Sequence, residues 1–440
     1  MINYFKTINF KRIGGFSLIL FHFTLTAQIN CENDTLNLVP LIDLQTGFYM
    51  GHQGGLYPEG LNVMPAGHAD AGIAIAQSIL PINKNGDEDT IYGKLVMVAM
   101  GPLDAGKSFN KFLSSYNDAG YNDSCFLIIN ACIDNYGIDD MISPDADDLF
   151  WEELGDKLDQ YETKRKQVQI AWLMSASFSD TVISFSSYVD SLENKYIDVI
   201  RKMKQEFINL KLIYISGLHY GGYISPDAEH LNALTEPAPY YNDFAIQSAI
   251  AAQINGDTLL NYSGDNPHAA WTAWGPNFWA DGRNPRWHDD LRWLCPGDFD
   301  LEEDGYFLDG TGQQKIADAL LNFFTTDPTS TPWIYGLNYA CLPDTITYTD
   351  STFIPDDEIL WIAPNPVREV LHFTLNLNSD EKADVAVYNL AGEKIKEGSF
   401  YKIEPGKELT IKMSQATRGL YLLSVFVEGK IYNLPFYLDN

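Results

Sequence analysis

Four short, almost uninterrupted apolar runs limit what this chain can fold into. They are Leu95 to Met100 (LVMVAM), Cys125 to Asn130 (CFLIIN), Val168 to Met174 (VQIAWLM) and Leu212 to Ser216 (LIYIS). A strand with one wet face alternates apolar and polar residues; a run apolar throughout suits a strand covered on both faces, as in a parallel sheet. The intervening segments have helical spacing. Phe109, Phe112 and Leu113 recur within Ser108–Tyr116, and Val189, Leu192, Ile197, Ile200, Met203 and Phe207 line one face of Tyr188–Ile208. Asp243–Ile254 and Gly312–Phe324 read as further amphipathic helices. Strand–helix alternation over residues 40–340 predicts an α/β domain with a doubly wound parallel sheet, helices on both faces, right-handed crossovers, and ligands bound beyond the carboxyl ends of the strands.

Residues 261–297 depart from this rhythm. Trp271, Trp274, Trp279, Trp287 and Trp293 fall there among many Gly and Pro residues. The segment reads as an insertion over one face whose tryptophans pack a loop-rich subregion; the functional alternative is an aromatic wall for sugar rings. Residues 341–360, rich in Thr, Asp and Pro, read as a linker. From 361 to 440 the period becomes two. Leu371, Phe373, Leu375 and Leu377 share a face, as do Val385 and Val387, then Leu409, Ile411 and Met413, then Tyr421, Leu423, Val425 and Val427. Turn residues separate these runs, which predicts a small antiparallel β sandwich.

The N-terminus places the chain outside the cytoplasm. Lys6, Lys11 and Arg12 precede an apolar run from Ile13 to Leu25, and Ala27 supplies a small residue for cleavage, so residues 1–27 read as a secretory signal peptide. That run is too short to span a bilayer, and no other is long enough, so no transmembrane span is expected. The net charge of −30 argues against nucleic acid and anionic membranes as partners. No zinc spacing or EF-hand loop occurs, so neither a metal nor another cofactor is expected. Five cysteines follow the signal, and export permits disulfides. Cys125, in an apolar run, is expected to be a reduced core residue, and Cys295 with Cys341 the bridge.

Three blocks in the last 80 residues carry a resemblance. They are Ala363-Pro364-Asn365-Pro366-Val367, Val387-Tyr388-Asn389-Leu390-Ala391-Gly392-Glu393 and Arg418-Gly419-Leu420-Tyr421-Leu422-Leu423. In order and spacing they resemble the type A sorting domain of the type IX (Por) secretion system. The resemblance implies Sec export, then recognition of this domain by the type IX machinery and delivery to the outer-membrane surface or the medium.

Residues 50–336 resemble the SGNH/GDSL hydrolase superfamily. The match runs from Gly54-Gly55-Leu56-Tyr57-Pro58 through Tyr220-Gly221-Gly222-Tyr223 and Trp274-Gly275-Pro276-Asn277-Phe278-Trp279-Ala280-Asp281-Gly282. It ends at Asp304-Gly305-Tyr306-Phe307-Leu308 and Gly312-Gln313-Gln314-Lys315-Ile316-Ala317. Such enzymes place a serine after the first strand, where a helix N-terminus helps hold an oxyanion, and an Asp-x-x-His pair that activates it. Here Gly101-Pro102-Leu103-Asp104 puts Leu103 at the serine position, and Asp304-Gly305-Tyr306-Phe307 puts Phe307 at the histidine position. Asp304 and Asn130 are retained. The resemblance therefore implies an SGNH-like protein without serine-esterase activity, a pseudoenzyme at the cell surface that binds a carbohydrate or similar ligand. Asp104, His219, Tyr220, Trp274, Trp279 and Asp304 are the candidate ligand-binding residues. The alternative is an active carbohydrate esterase or other hydrolase with relocated catalytic residues, drawing on Ser108, His219, His268 or His288, or on Asp104 and Asp304 as paired carboxylates for glycoside chemistry or a cation.

Overall fold

The computed structural model describes residues 31–121, 125–143, 149–179, 182, 184–300, 304–335, 341, 360–362, 367–389, 393–414 and 416–438. The signal segment, nearly all of the linker and the Ala363–Pro366 block lie outside the described residues. The chain divides into two compact units, Met1–Leu342 and Pro343–Asn440.

The first unit is built on five parallel strands: β1 (Leu95–Met100), β2 (Phe126–Asn130), β3 (Val168–Leu173), β4 (Leu212–Ile215) and β5 (Trp271–Trp274), in the order β2-β1-β3-β4-β5. Every residue of β1, β3, β4 and β5 is buried, as unbroken apolar runs require. The crossovers carry α2 (Leu103–Asp118), α3 (Leu149–Gln160), α4 (Phe185–Glu206) and α5 (Ala238–Ile254); α1 (Ala66–Gln77) precedes the sheet and α6 (Gly310–Thr326) follows it. The chain leaves β1 for β2 on one side, then returns to build β3, β4 and β5 on the other. That reversal puts the switch point between β1 and β3, and crossovers of the usual right hand would distribute helices over both faces. Phe109 of α2 stacks on Trp172 of β3 at 5.3 Å, which seats that helix on the sheet.

Two expectations need correction. The fifth strand, WTAW, lies inside the segment read as an insertion: four residues show no period, and the tryptophans masked a strand in which all four side chains are buried. The disulfides join Cys31 to Cys295 and Cys125 to Cys341, with Cα separations of 5.4 and 4.9 Å, and the buried free thiol is Cys132. Cys125 precedes β2 and meets a partner 216 positions away, a proximity that no local pattern encodes.

The second unit contains β6 (Leu360–Ile362), β7 (Val370–Leu375), β8 (Ala383–Asn389), β9 (Lys394–Phe400), β10 (Glu408–Lys412), β11 (Gly419–Val427) and β12 (Lys430–Leu438). They form antiparallel sheets of order β10-β7-β6 and β9-β8-β11-β12 around one core. The period-two residues Leu371, Phe373, Leu375, Val385, Val387, Leu423, Val425 and Val427 all lie in that core. Pro435 sits in edge strand β12, where a missing N–H is tolerated.

Candidate functional site

The loops at the carboxyl ends of β1, β4 and β5 meet the segment that enters α6. Gly101 turns the chain out of β1, and a side chain there would come within 2.2 Å of the Met174 carbonyl. Helix α2 then opens at Leu103, which is half-buried. Asp104, in its first turn, is 1% exposed; its Oδ2 lies 2.9 Å from His219 Nε2, and its Oδ1 accepts the Leu308 N–H at 3.1 Å. The second ring nitrogen of His219 faces the Tyr220 carbonyl at 3.2 Å. Both imidazole nitrogens are therefore occupied, and the ring is packed against Tyr306 at 4.6 Å. Lys107, one helical turn after Leu103, holds its ammonium 5.5 Å from the centre of the half-buried Phe307 ring. The start of α2 and the 304–308 loop thus face each other, with Leu103 and Phe307 on that junction.

The structure brings Asp104 and His219 together but seals both. Asp104 and Asp304 form no described pair: Asp104 is engaged as above, and the Asp304 carbonyl accepts the Ser225 N–H at 2.8 Å. Ser108 is buried in α2. Asn130 donates to the Gly106 carbonyl at 2.9 Å and to Asn110 Oδ1 at 2.8 Å, tying the end of β2 to α2. Tyr220, Trp274 and Trp279 are buried, each with its polar atom bonded: Tyr220 to the Asn33 carbonyl, Trp274 to the Leu56 carbonyl and Trp279 to Glu236. The aromatic wall is thus largely packing; of the five tryptophans in the 261–297 segment Trp287 alone is exposed, at 63%. Among the described residues no histidine ring is hydrogen-bonded to a hydroxyl: His68 and His268 face the carbonyls of Thr272 and Thr258.

Sequence reasoning missed two buried carboxyls. Glu236 accepts the Gly221 N–H at 3.0 Å and Trp279 Nε1 at 2.8 Å; burial outweighs these bonds and pushes it up to about 7. Asp243, in the interior of α5, accepts Asn277 Nδ2 at 2.6 Å; burial pushes it up to about 8, against the pull of Asn277 and Arg286. Gly217 at the end of β4 is required beside it, because a side chain there would come within 1.9 Å of Asp243 Oδ1. Glu236 Oε2, Asp243 Oδ1, Asn242 Oδ1, Ser175 Oγ and Tyr306 Oη are buried without a partner among the described residues, so this layer has spare hydrogen-bonding capacity. The stretch Asp243–Ile254, expected to be amphipathic, belongs to a helix that is apolar almost all round, and that uniformity with Asp243 inside it was the available signal.

A groove of about 1010 Å³ lies beside this layer. Leu56, Tyr57 and Trp274 contribute apolar surface, and Lys315, Asp318 and Asn322 of α6 line it together with His288, Asp289 and Arg292 of the loop after β5. Arg286 anchors that loop. It donates to Asp289 Oδ1 at 2.9 Å, to Asn277 Oδ1 at 2.7 Å and to the Asn277 and Trp279 carbonyls. Burial of Asp289 works against its ionisation, but the Arg286 guanidinium holds its carboxyl below the usual range. A continuous chain, Asp289–Arg286–Asn277–Asp243, therefore connects the groove wall to the buried acid.

Residues 361–433 match the family described as the secretion system C-terminal sorting domain. Among curated proteins none matches the chain. Solved structures that align with it include a double mutant of the Cellulomonas fimi endo-β-1,4-mannanase, at 11% identity and TM-score 0.18, covering 76% of this chain and 58% of that one. The Thermotoga petrophila endo-β-1,4-mannanase aligns at 14% identity and TM-score 0.18, covering 84% and 70%. A calcium-binding mutant of Bacteroides uniformis β-glucuronidase 2 aligns at 12% identity and TM-score 0.19, covering 79% and 46%. The chain thus spans less than two thirds of the Cellulomonas enzyme and under half of the glucuronidase, and TM-scores this low do not establish a shared fold. No helix among the described residues is long and apolar enough to cross a membrane. The C-terminal match settles the destination: this is a protein carrying a type IX sorting domain, exported to the cell surface or secreted.

Proposed function

We propose that the α/β unit is a catalytically silent SGNH/GDSL-like domain that binds a carbohydrate outside the cell. The observation that carries this reading is the junction between α2 and the 304–308 loop. Leu103 and Phe307 stand where a hydroxyl and an imidazole would have to meet, and Lys107 lies against the Phe307 ring. Nucleophile and base act as one unit, so losing both removes essentially all acyl transfer. The nearby histidine does not substitute, because His219 is buried with both nitrogens occupied.

The open groove supports the ligand half of the proposal. Three cations, Arg286, Arg292 and Lys315, share it with four carboxylates, Asp289, Asp290, Asp318 and Asp327, so donors and acceptors are interspersed without a dominant sign. Apolar surface with a few fixed polar groups is the usual composition of a small-ligand site, and this balance favours a neutral, hydroxyl-rich ligand over a polyanion.

Two measurements test the reading. Purified protein should not hydrolyse p-nitrophenyl acetate in a manner that a serine-directed inhibitor blocks; inhibitor-sensitive turnover would sink the silent-domain half. Titration calorimetry with neutral hexasaccharides should give a signal that Arg292→Ala weakens, whereas charged uronate oligomers should give none. Absence of heat with every neutral sugar would remove the ligand half and leave the fold assignment standing.

A further inference from the structure

We propose that the outer face of the β9-β8-β11-β12 sheet is the surface by which the export machinery captures this protein. In β11 the inward residues Tyr421, Leu423, Val425 and Val427 fill the core, so Leu420, Leu422, Ser424 and Phe426 point outward. An outward face should be polar. Here Leu422 is 37% exposed, Phe426 48% and Ile431 of β12 63%. The register sets them in two apolar groups on one face: Phe426 lies opposite Ile431, Leu422 lies between Tyr388 and Pro435 with Leu420 facing Tyr437 beyond it, and the pair Ser424 and Asn433 separates the groups. Asp384, opposite Phe426, is held by Lys382 at 2.6 Å and Ser399 at 2.6 Å, so the charge next to the apolar group is already paired. Non-obligate protein interfaces mix exposed apolar side chains with polar ones in this way.

Charge and the sorting-domain match select the occupant. The two groups together expose on the order of 300 Å² of apolar surface, a patch size associated with function on monomers. A standard interface buries ~800 Å² per partner, polar and apolar together, so these side chains would supply only its apolar part. Residues 361–440 hold nine Lys and Arg against ten Asp and Glu, a net −1 in a chain of −30. The acidity therefore resides elsewhere, and this domain can meet an uncharged apolar strip on its partner without burying unpaired charge. The sorting-domain match at 361–433 spans β7 to β11 and identifies the partner as a protein of the secretion system.

The test uses the full chain in its own bacterium. Leu422→Ser, Phe426→Ser and Ile431→Ser are combined, with Ile431→Ser alone as a milder variant at the most exposed position. The readouts are the melting temperature of the purified protein and the fraction reached by protease on intact cells or found in the medium. The expected result is unchanged melting with a tenfold or greater fall in exported protein for the triple variant, the scale of losing an interface anchor. A smaller fall is expected for the single variant, with retained protein in the periplasm. Wild-type export by a folded triple variant overturns the proposal. Should the triple variant melt early, wild-type export of folded Ile431→Ser overturns it instead.

Discussion

Replacing Asp243 with Asn should change how stability depends on pH, in a direction fixed by the site. The folded-state carboxyl titrates at about 8, against an ordinary value of 3.8, because burial outweighs its bond from Asn277. For an acid raised in the folded state, the stabilising contribution is fully present below pH 3.8, where both states are protonated. It falls as the unfolded chain ionises and is lost by about pH 8. Four pH units at about 1.4 kcal/mol each give an upper scale of roughly 5–6 kcal/mol across that window. Glu236, raised from 4.5 to about 7, adds a smaller loss of the same sign. Asp243→Asn keeps an oxygen for Asn277 Nδ2 to bond but cannot ionise, so its stability curve should be flatter. The assay is urea unfolding followed by tryptophan fluorescence from pH 4.5 to 8.5. All tryptophans except Trp361 belong to the α/β unit, so the signal reports chiefly on that unit. The difference between wild type and variant cancels other titrating groups. The variant should gain on wild type steadily with rising pH, by several kcal/mol in total. Parallel curves across the range would refute the assignment of a neutral buried carboxyl at Asp243.

The remaining expectations concern the sealed layer, the α2 junction and the disulfides. His219→Ala leaves the Asp104 carboxyl buried with its Leu308 bond but no imidazole, and should cost about 3–5 kcal/mol in urea unfolding; no loss would mean water replaces the ring at no cost. Leu103→Ser combined with Phe307→His should create p-nitrophenyl acetate turnover above that of either single variant. A folded but inert double variant would show that the oxyanion or orienting groups are absent as well. Cys125→Ser should lower stability by about 2–5 kcal/mol through loss of the bridge to Cys341, and unchanged unfolding would place that bridge outside the folded core.

The parts legible in the sequence were those written in local periodicity. Unbroken apolar runs marked β1 to β4 because a strand covered on both faces tolerates no alternation. Alternation marked β7, β8, β10 and β11 because each of these strands buries one face, and Leu423 beside the exposed Leu422 shows the rule at its sharpest. Long-range consequences were not legible. The strand Trp271–Trp274 is too short to show a period, and both disulfides close loops of more than 200 residues. The relay Asp243–Asn277–Arg286–Asp289 draws its members from α5 and the loop after β5, so only the folded chain makes them neighbours.

These features explain why the layer beneath the α2 junction would resist erosion even where no chemistry occurs. Asp104 joins three separately coded segments: the start of α2, the loop after β4 through His219, and the entry to α6 through the Leu308 N–H. Its removal would orphan a buried imidazole and a buried amide together, a large cost on a stability margin of about 5–15 kcal/mol. Leu103 and Phe307 carry no such obligation, since both are half-buried at the surface of the junction and their hydrocarbon side chains hold no hydrogen bond; only the Lys107 ammonium lies against the Phe307 ring. The outer pair therefore tolerates exchange more readily, while the inner pair is held by packing and hydrogen bonding. Exchanging the inner residues should accordingly damage folding more than exchanging the outer ones, and the unfolding and turnover measurements on His219→Ala and the Leu103, Phe307 double variant separate the two.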